Sequence, residues 1–90
     1  MHAVVLIVTL DDPDAAISKL REEVLPQVKQ APGLVAGYWT RGQDNSGIAM
    51  VVAESEDAAN AMSEAAEAAA NADDAVTLTS VEVREVVANV

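Results

Sequence analysis

The chain has no cysteine and no phenylalanine, and Tyr38 and Trp39 are its only aromatic residues outside His2. No disulfide can staple the fold, and no thiolate can ligate a metal. With His2 as the single histidine, an imidazole pair is also missing, so no metal is expected. Basic residues are scarce, five against fifteen acids, for a formal net charge of −10. Such a surface repels phosphate backbones and anionic lipid, which argues against nucleic acid and membrane partners. The longest apolar run, Ala3–Val8, is too short to span a bilayer and lacks the basic flank and cleavage site of a signal peptide. A soluble cytoplasmic protein is the expectation.

Ninety residues make one domain, 1–90, near the small end of what folds without staples. No linker or low-complexity tail interrupts it. Its core must come from Val, Leu, Ile, Met and Ala, and a second copy would supply burial that so small a core lacks.

What the chain does have is strands that are apolar on both sides. In His2–Leu10, Val4, Leu6 and Val8 form one parity, while Ala3, Val5 and Ile7 form the other. Ile48–Ala53 repeats this, with Ile48, Met50 and Val52 against Ala49, Val51 and Ala53. Successive strand residues point to opposite faces, so a sheet wetted on one side should alternate apolar with polar. This sheet must be covered twice. Two helices suffice for one face, which leaves a second copy of the chain, a homodimer through the sheet faces, for the other.

The helices carry their own signals. Asp12 is placed to cap the first, Pro13 sits where its missing N–H is harmless, and Asp14 complements the helix dipole. Ile17, Leu20, Val24 and Val28 recur at helical spacing as the buried stripe. Pro26 removes a hydrogen bond to the Glu22 carbonyl and predicts a kink or restart. Ala31-Pro32-Gly33 then turns the chain into a strand over Leu34–Arg41, where Gly37 marks a bulge or a close approach. A polar hairpin loop over 42–47 leads to the third strand. Ser55 caps the second helix, with Asn60, Glu64, Glu67 and Asn71 on its wet face and Ala58, Met62, Ala65 and Ala69 on its dry one.

A final strand over Val76–Val87 changes parity: Val76 and Leu78 share one side, Val81, Val83 and Val87 the other. Either a β-bulge near Ser80 or a strand that outruns its own sheet to pair with a partner subunit would explain this, and its length favours the second. The order β-α-β-β-α-β closes, with right-handed crossovers, into an α+β ferredoxin-like plait: a four-stranded antiparallel sheet with both helices on one face. Fold does not give function. A metal-chaperone plait needs a cysteine pair, an RNA-binding plait needs strand aromatics on a basic face, and an acylphosphatase-type plait needs an Arg-bearing anion loop where Asp11-Asp12-Pro13-Asp14 stands.

Three stretches carry a resemblance: Val24-Leu25-Pro26 through Ala31-Pro32-Gly33-Leu34-Val35-Ala36-Gly37-Tyr38-Trp39, then Glu54-Ser55-Glu56-Asp57-Ala58-Ala59, and Val81-Glu82-Val83-Arg84-Glu85-Val86-Val87. In layout the chain resembles the dimeric α+β barrel superfamily, especially the small antibiotic biosynthesis monooxygenase-like proteins. That resemblance implies two plaits packed sheet to sheet, with a pocket between sheet and helices or in the barrel interior. It implies binding or cofactor-independent oxidation of a small hydrophobic or aromatic metabolite. No catalytic residue carries over: His2–Leu10 has no Asn, and Asp57–Ala72 has no Trp or His, the residues that haem-degrading relatives use there.

Trp39, Arg41 and His2 are the candidate substrate-binding residues. Adjacent Tyr38 and Trp39 must face opposite sides, one towards the helices and one towards the dimer. A pocket-lining Trp stacks on flat ligands, and its indole N–H holds a carbonyl; otherwise the pair simply fills volume in the core or interface. Arg41 shares the Trp39 parity and would add an anion-binding corner for a carboxylate or phenolate, unless it pairs with acids such as Glu82 or Glu85. His2 would serve as an acid or base near neutrality if a pocket opened beside the start of the first strand; otherwise it is an ordinary surface histidine at a frayed terminus. Asp11, Asp12, Asp14, Asp73 and Asp74 read as capping chemistry, and Met50 and Met62 as core fillers. Two functions remain, an enzyme or binding protein with an apolar cavity and a non-catalytic dimeric accessory module. The enzyme requires an interior cavity of about 300 Å³.

Overall fold

The computed structural model describes residues 1–90. Strand β1 (His2–Leu10) leads into helix α1 (Pro13–Lys19), a π-helical turn over Leu20–Val24, and the short helix α2 (Leu25–Val28). Strands β2 (Leu34–Arg41) and β3 (Ser46–Ala53) form a hairpin, and helix α3 (Glu56–Asn71) returns the chain to β4 (Val76–Glu85). The sheet is antiparallel throughout, in the order β2-β3-β1-β4. This is the ferredoxin-like plait.

The caps form as their residue types require. Asp12 Oδ1 accepts from the Ala15 amide at 3.3 Å, and the Ser55 hydroxyl accepts from the Ala58 amide at 3.1 Å. The arm restarts at Pro26 as expected: α2 begins at Leu25 with the proline in its first turn. The preceding turn widens, with the Leu25 N–H reaching back to the Leu20 carbonyl, and the backbone stays helical through Lys19, Val24 and Leu25. A π-turn absorbs the register change that a proline imposes on the i→i−4 ladder. At the end of that arm Gly33 takes φ +81, and a Cβ there would lie 2.9 Å from the Ala58 Cβ. Only glycine meets both demands at that turn.

Paired strand residues share a face, so the register assigns every side chain. Val4, Val51, Val81 and Val83 point inward against Ala58, Ala59 and Met62 of α3, with Ala53 beneath them. Ala53 and Ala59 are fully buried. Their small side chains let α3 lie close over β1, β3 and β4, whereas α2 makes no comparably close approach to β2. The dry face of α3 runs through Ala59, Met62, Ala66 and Ala70, while Ala65 and Ala69 are exposed. The expected Ala58, Met62, Ala65, Ala69 stripe is therefore rotated by about one residue, because the buried row must follow the sheet strands below it. The wet face of Asn60, Glu64, Glu67 and Asn71 is exposed as expected.

Strand β4 pairs with β1 along its whole length, and the register shifts between Ile7 and Val8, which oppose Ser80 and Leu78. Thr79 is the extra residue of a β-bulge, so Val76 and Leu78 lie on the inner face together with Val81 and Val83. The bulge resolves the parity change, and the alternative of a strand outrunning its own sheet is corrected. A second bulge, at Val35, lies between Leu34 and Ala36 of β2.

The outer face of the sheet carries Ala3, Val5 and Ile7 of β1, Ile48, Met50 and Val52 of β3, and Ala36 and Tyr38 of β2. No helix covers them. Met50, expected in the core, is exposed here instead. Of the fifteen acids only Glu82 and Glu85 lie on strands, both on β4, and the others decorate helices and loops. The chain exposes 5834 Å² of surface, whereas a folded monomer of this size is expected to expose roughly 5000 Å².

Candidate functional site

A small apolar cleft opens where α2 stands away from β2. Its volume is about 200 Å³, and Leu25, Val28, Lys29, Leu34, Gly37 and Trp39 line it. Helical spacing aims Leu25 and Val28 at the sheet, and strand parity aims Gly37 and Trp39 back at them. Trp39 pairs with Ala49, an inner-face residue, while Tyr38 pairs with Met50 and is 66% exposed on the outer face. The two aromatic residues divide between the faces as their adjacency requires.

Gly37 shapes the cleft. A Cβ at that position would come within 2.9 Å of both Cη2 and Cζ3 of the Trp39 indole. The ring therefore lies back along its own strand, over a residue that has no side chain, and lines the cleft. The glycine is needed for close approach; the bulge itself sits at Val35, two residues earlier.

Arg41 ends β2 on the inner face, two residues beyond Trp39, and is exposed. Within one chain the expected ion pair of Arg41 with Glu82 or Glu85 is corrected by the topology, because β2 and β4 are opposite edges of the sheet; the intersubunit form of that pair is a matter of the dimer. Those acids lie nearer Arg84, whose Nη2 is 2.7 Å from Glu82 Oε1. Just past Arg41 the hairpin is fixed by Asp44, which accepts from the Ser46 hydroxyl at 2.7 Å and the Ser46 amide at 3.1 Å. These bonds, the hydroxyl first, hold the Asp44 carboxyl below the usual carboxylate range. Asn45 completes the turn at φ 60, a conformation asparagine tolerates better than most residues.

His2 is elsewhere. It opens β1, opposite Ala53 and Glu85, with Nε2 3.3 Å from Glu56 Oε2 and Nδ1 enclosed without a partner. The structure brings Trp39 and Arg41 to one strand face and leaves His2 at the start of α3. Lys29 is the residue sequence reasoning missed. Its signal was its place beside Val28, at the end of an amphipathic arm that must cross over β2.

A larger depression of about 320 Å³ lies between the start of α1 and the loop before β4, lined by Asp12, Lys19, Asp73 and Asp74 among others. Its acids have structural work: Asp12 caps α1, and Asp73 accepts from the Ala75 amide at 2.9 Å and faces Lys19 at 3.9 Å. No group of three or more His, Asp or Glu side chains is gathered to hold a metal ion. No helix is long and apolar enough to cross a membrane. No protein-family model matches the chain, and no curated protein matches its sequence.

Proposed function

We propose that this protein is a small homodimeric binding module, joined through the outer faces of its two sheets, whose helix-side cleft beside Trp39 takes a small hydrophobic or aromatic molecule. The observation that carries the reading is the uncovered outer face, where Tyr38, Ile48 and Met50 stand 66%, 44% and 46% exposed. A contiguous apolar patch of this kind on a small soluble chain marks an interface. Its lack of charge supports a second copy as the occupant. Elsewhere a net charge of −10 repels an identical chain, and across β1, β2 and β3 the outer face carries no acid.

The dimeric α+β barrel likeness, with its antibiotic biosynthesis monooxygenase-like relatives, supports the same arrangement and extends it to cofactor-free oxidation. The cleft favours binding over turnover. At about 200 Å³ it is smaller than the cavity expected for such an enzyme, and Lys29 is the only titratable residue among its lining. The accessory-module alternative shares the dimer and differs only in leaving the cleft unused.

Light scattering at micromolar concentration tests the dimer, with twice the chain mass expected and a monomer overturning it. Titration of phenolic and polyketide-like compounds against Trp39 fluorescence tests the cleft. A saturable change is expected from at least one compound, and silence across the panel leaves the accessory module.

A further inference from the structure

Five basic residues serve this chain, and their partners sort them. Lys19 faces Asp73 at 3.9 Å, and Arg84 is held by Glu82 at 2.7 Å. Arg21, Lys29 and Arg41 meet no carboxylate. In a molecule with a threefold excess of acid, unpaired cations stand out, and one of these three, Lys29, shares the cleft with Trp39 while Arg41 lies on the same strand face beyond its lining. Lys29 lines the cleft from the end of α2, and Arg41 follows Trp39 on the same strand face.

We infer that the cleft selects an aromatic carboxylate, a single ring bearing an anionic head. The inference rests on the cleft-binding reading above and adds the charge and size of the ligand. Size follows from volume: about 200 Å³ is the room of roughly seven water molecules, enough for one ring and a small substituent. Flatness follows from the indole, whose surface lies over Gly37 and offers a stacking platform between Leu25 and Leu34. Charge follows from Lys29, the one charged residue of the lining, with Arg41 at the next inner-face position of β2, outside the lining but on the side the anionic head would leave by. A guanidinium binds a carboxylate with two parallel hydrogen bonds, and an ammonium adds a point charge without geometric demand. The surrounding acids supply selectivity of a second kind: they keep the anion from binding anywhere else on the molecule.

Trp39 is the only tryptophan, so its emission reports on this site alone. The full chain is titrated with benzoate and with benzyl alcohol, its uncharged counterpart, at low and at high salt. Benzoate is expected to saturate the signal with an affinity about tenfold tighter than benzyl alcohol. That advantage is expected to shrink as salt rises. Arg41→Gln and Lys29→Gln, each checked for native circular dichroism, should each reduce the preference while leaving benzyl alcohol binding in place. Equal affinity for the two probes overturns the charge assignment and leaves the cleft reading standing. A preference that survives both substitutions overturns the role of these two residues. Silence from both probes overturns the ligand inference together with the cleft reading.

Discussion

Tyr38 and Met50 stand directly opposite each other on β2 and β3, and both point away from the helices. A phenol and a thioether side by side, 66% and 46% exposed, form the middle of a surface that water covers poorly. Flat aromatic and flexible sulfur side chains are the types that interface centres favour.

Met50→Glu is therefore expected to convert the proposed dimer into a folded monomer. Placing a carboxylate at the centre of a self-complementary interface puts two like charges together across the symmetry axis. Sedimentation or light scattering reads the mass, and circular dichroism confirms the fold. A dimer that survives Met50→Glu would place its interface on another surface.

Gly37→Ala should disturb Trp39 without unfolding the chain. The added methyl meets the indole at 2.9 Å, so the ring must swing aside and into the cleft. A shift in tryptophan emission and a stability loss of about 1–3 kcal/mol are expected in urea titrations. An unchanged spectrum would show that the ring does not rest where the structure has it.

Ala59→Leu tests the close approach of α3. Ala59 is fully buried against Val4 and Ala53, and the larger side chain has nowhere to go. Overpacking of this kind costs typically about 1–3 kcal/mol, measurable as a lowered midpoint in urea. The exposed neighbour Ala65→Leu is the control, with a change near zero expected.

Asp44 gives a pH dependence with a definite sign. Its carboxyl is held below the ordinary value of 3.8 by Ser46, so its contribution to stability is complete above that value. The contribution is lost as pH falls through the lower, folded-state value. Asp44→Ala should thus melt below the wild type at neutral pH, and the two melting curves should converge at strongly acidic pH. A gap that persists unchanged into acid would assign the loss to something other than the carboxylate.

Much of this architecture was legible in residue types. β1 and β2 have the predicted bounds because Pro and Gly punctuate their ends, and Asp12 and Ser55 cap as their side chains dictate. Other features depend on partners that the sequence does not pair. The Thr79 bulge required knowing that β4 runs beside β1, and the mistaken Arg41 pairing within one chain came from not knowing the strand order. In α3 half of the sixteen positions are Ala, spread around the helix, so hydrophobic contrast could not fix its rotation to better than one residue. Trp39 and Arg41 stood out as rare residue types, whereas Lys29 looked like any solvent-facing lysine until α2 was seen crossing over β2.

The placement of acid in this molecule also bears on how far it can associate. The carboxylates crowd the helical side and the loops, and the greasy strands hold almost none. In the proposed dimer the surface left outside carries most of the negative charge. A third copy would meet net repulsion from that surface, so the charge distribution that leaves one face open to pairing also opposes growth beyond a pair.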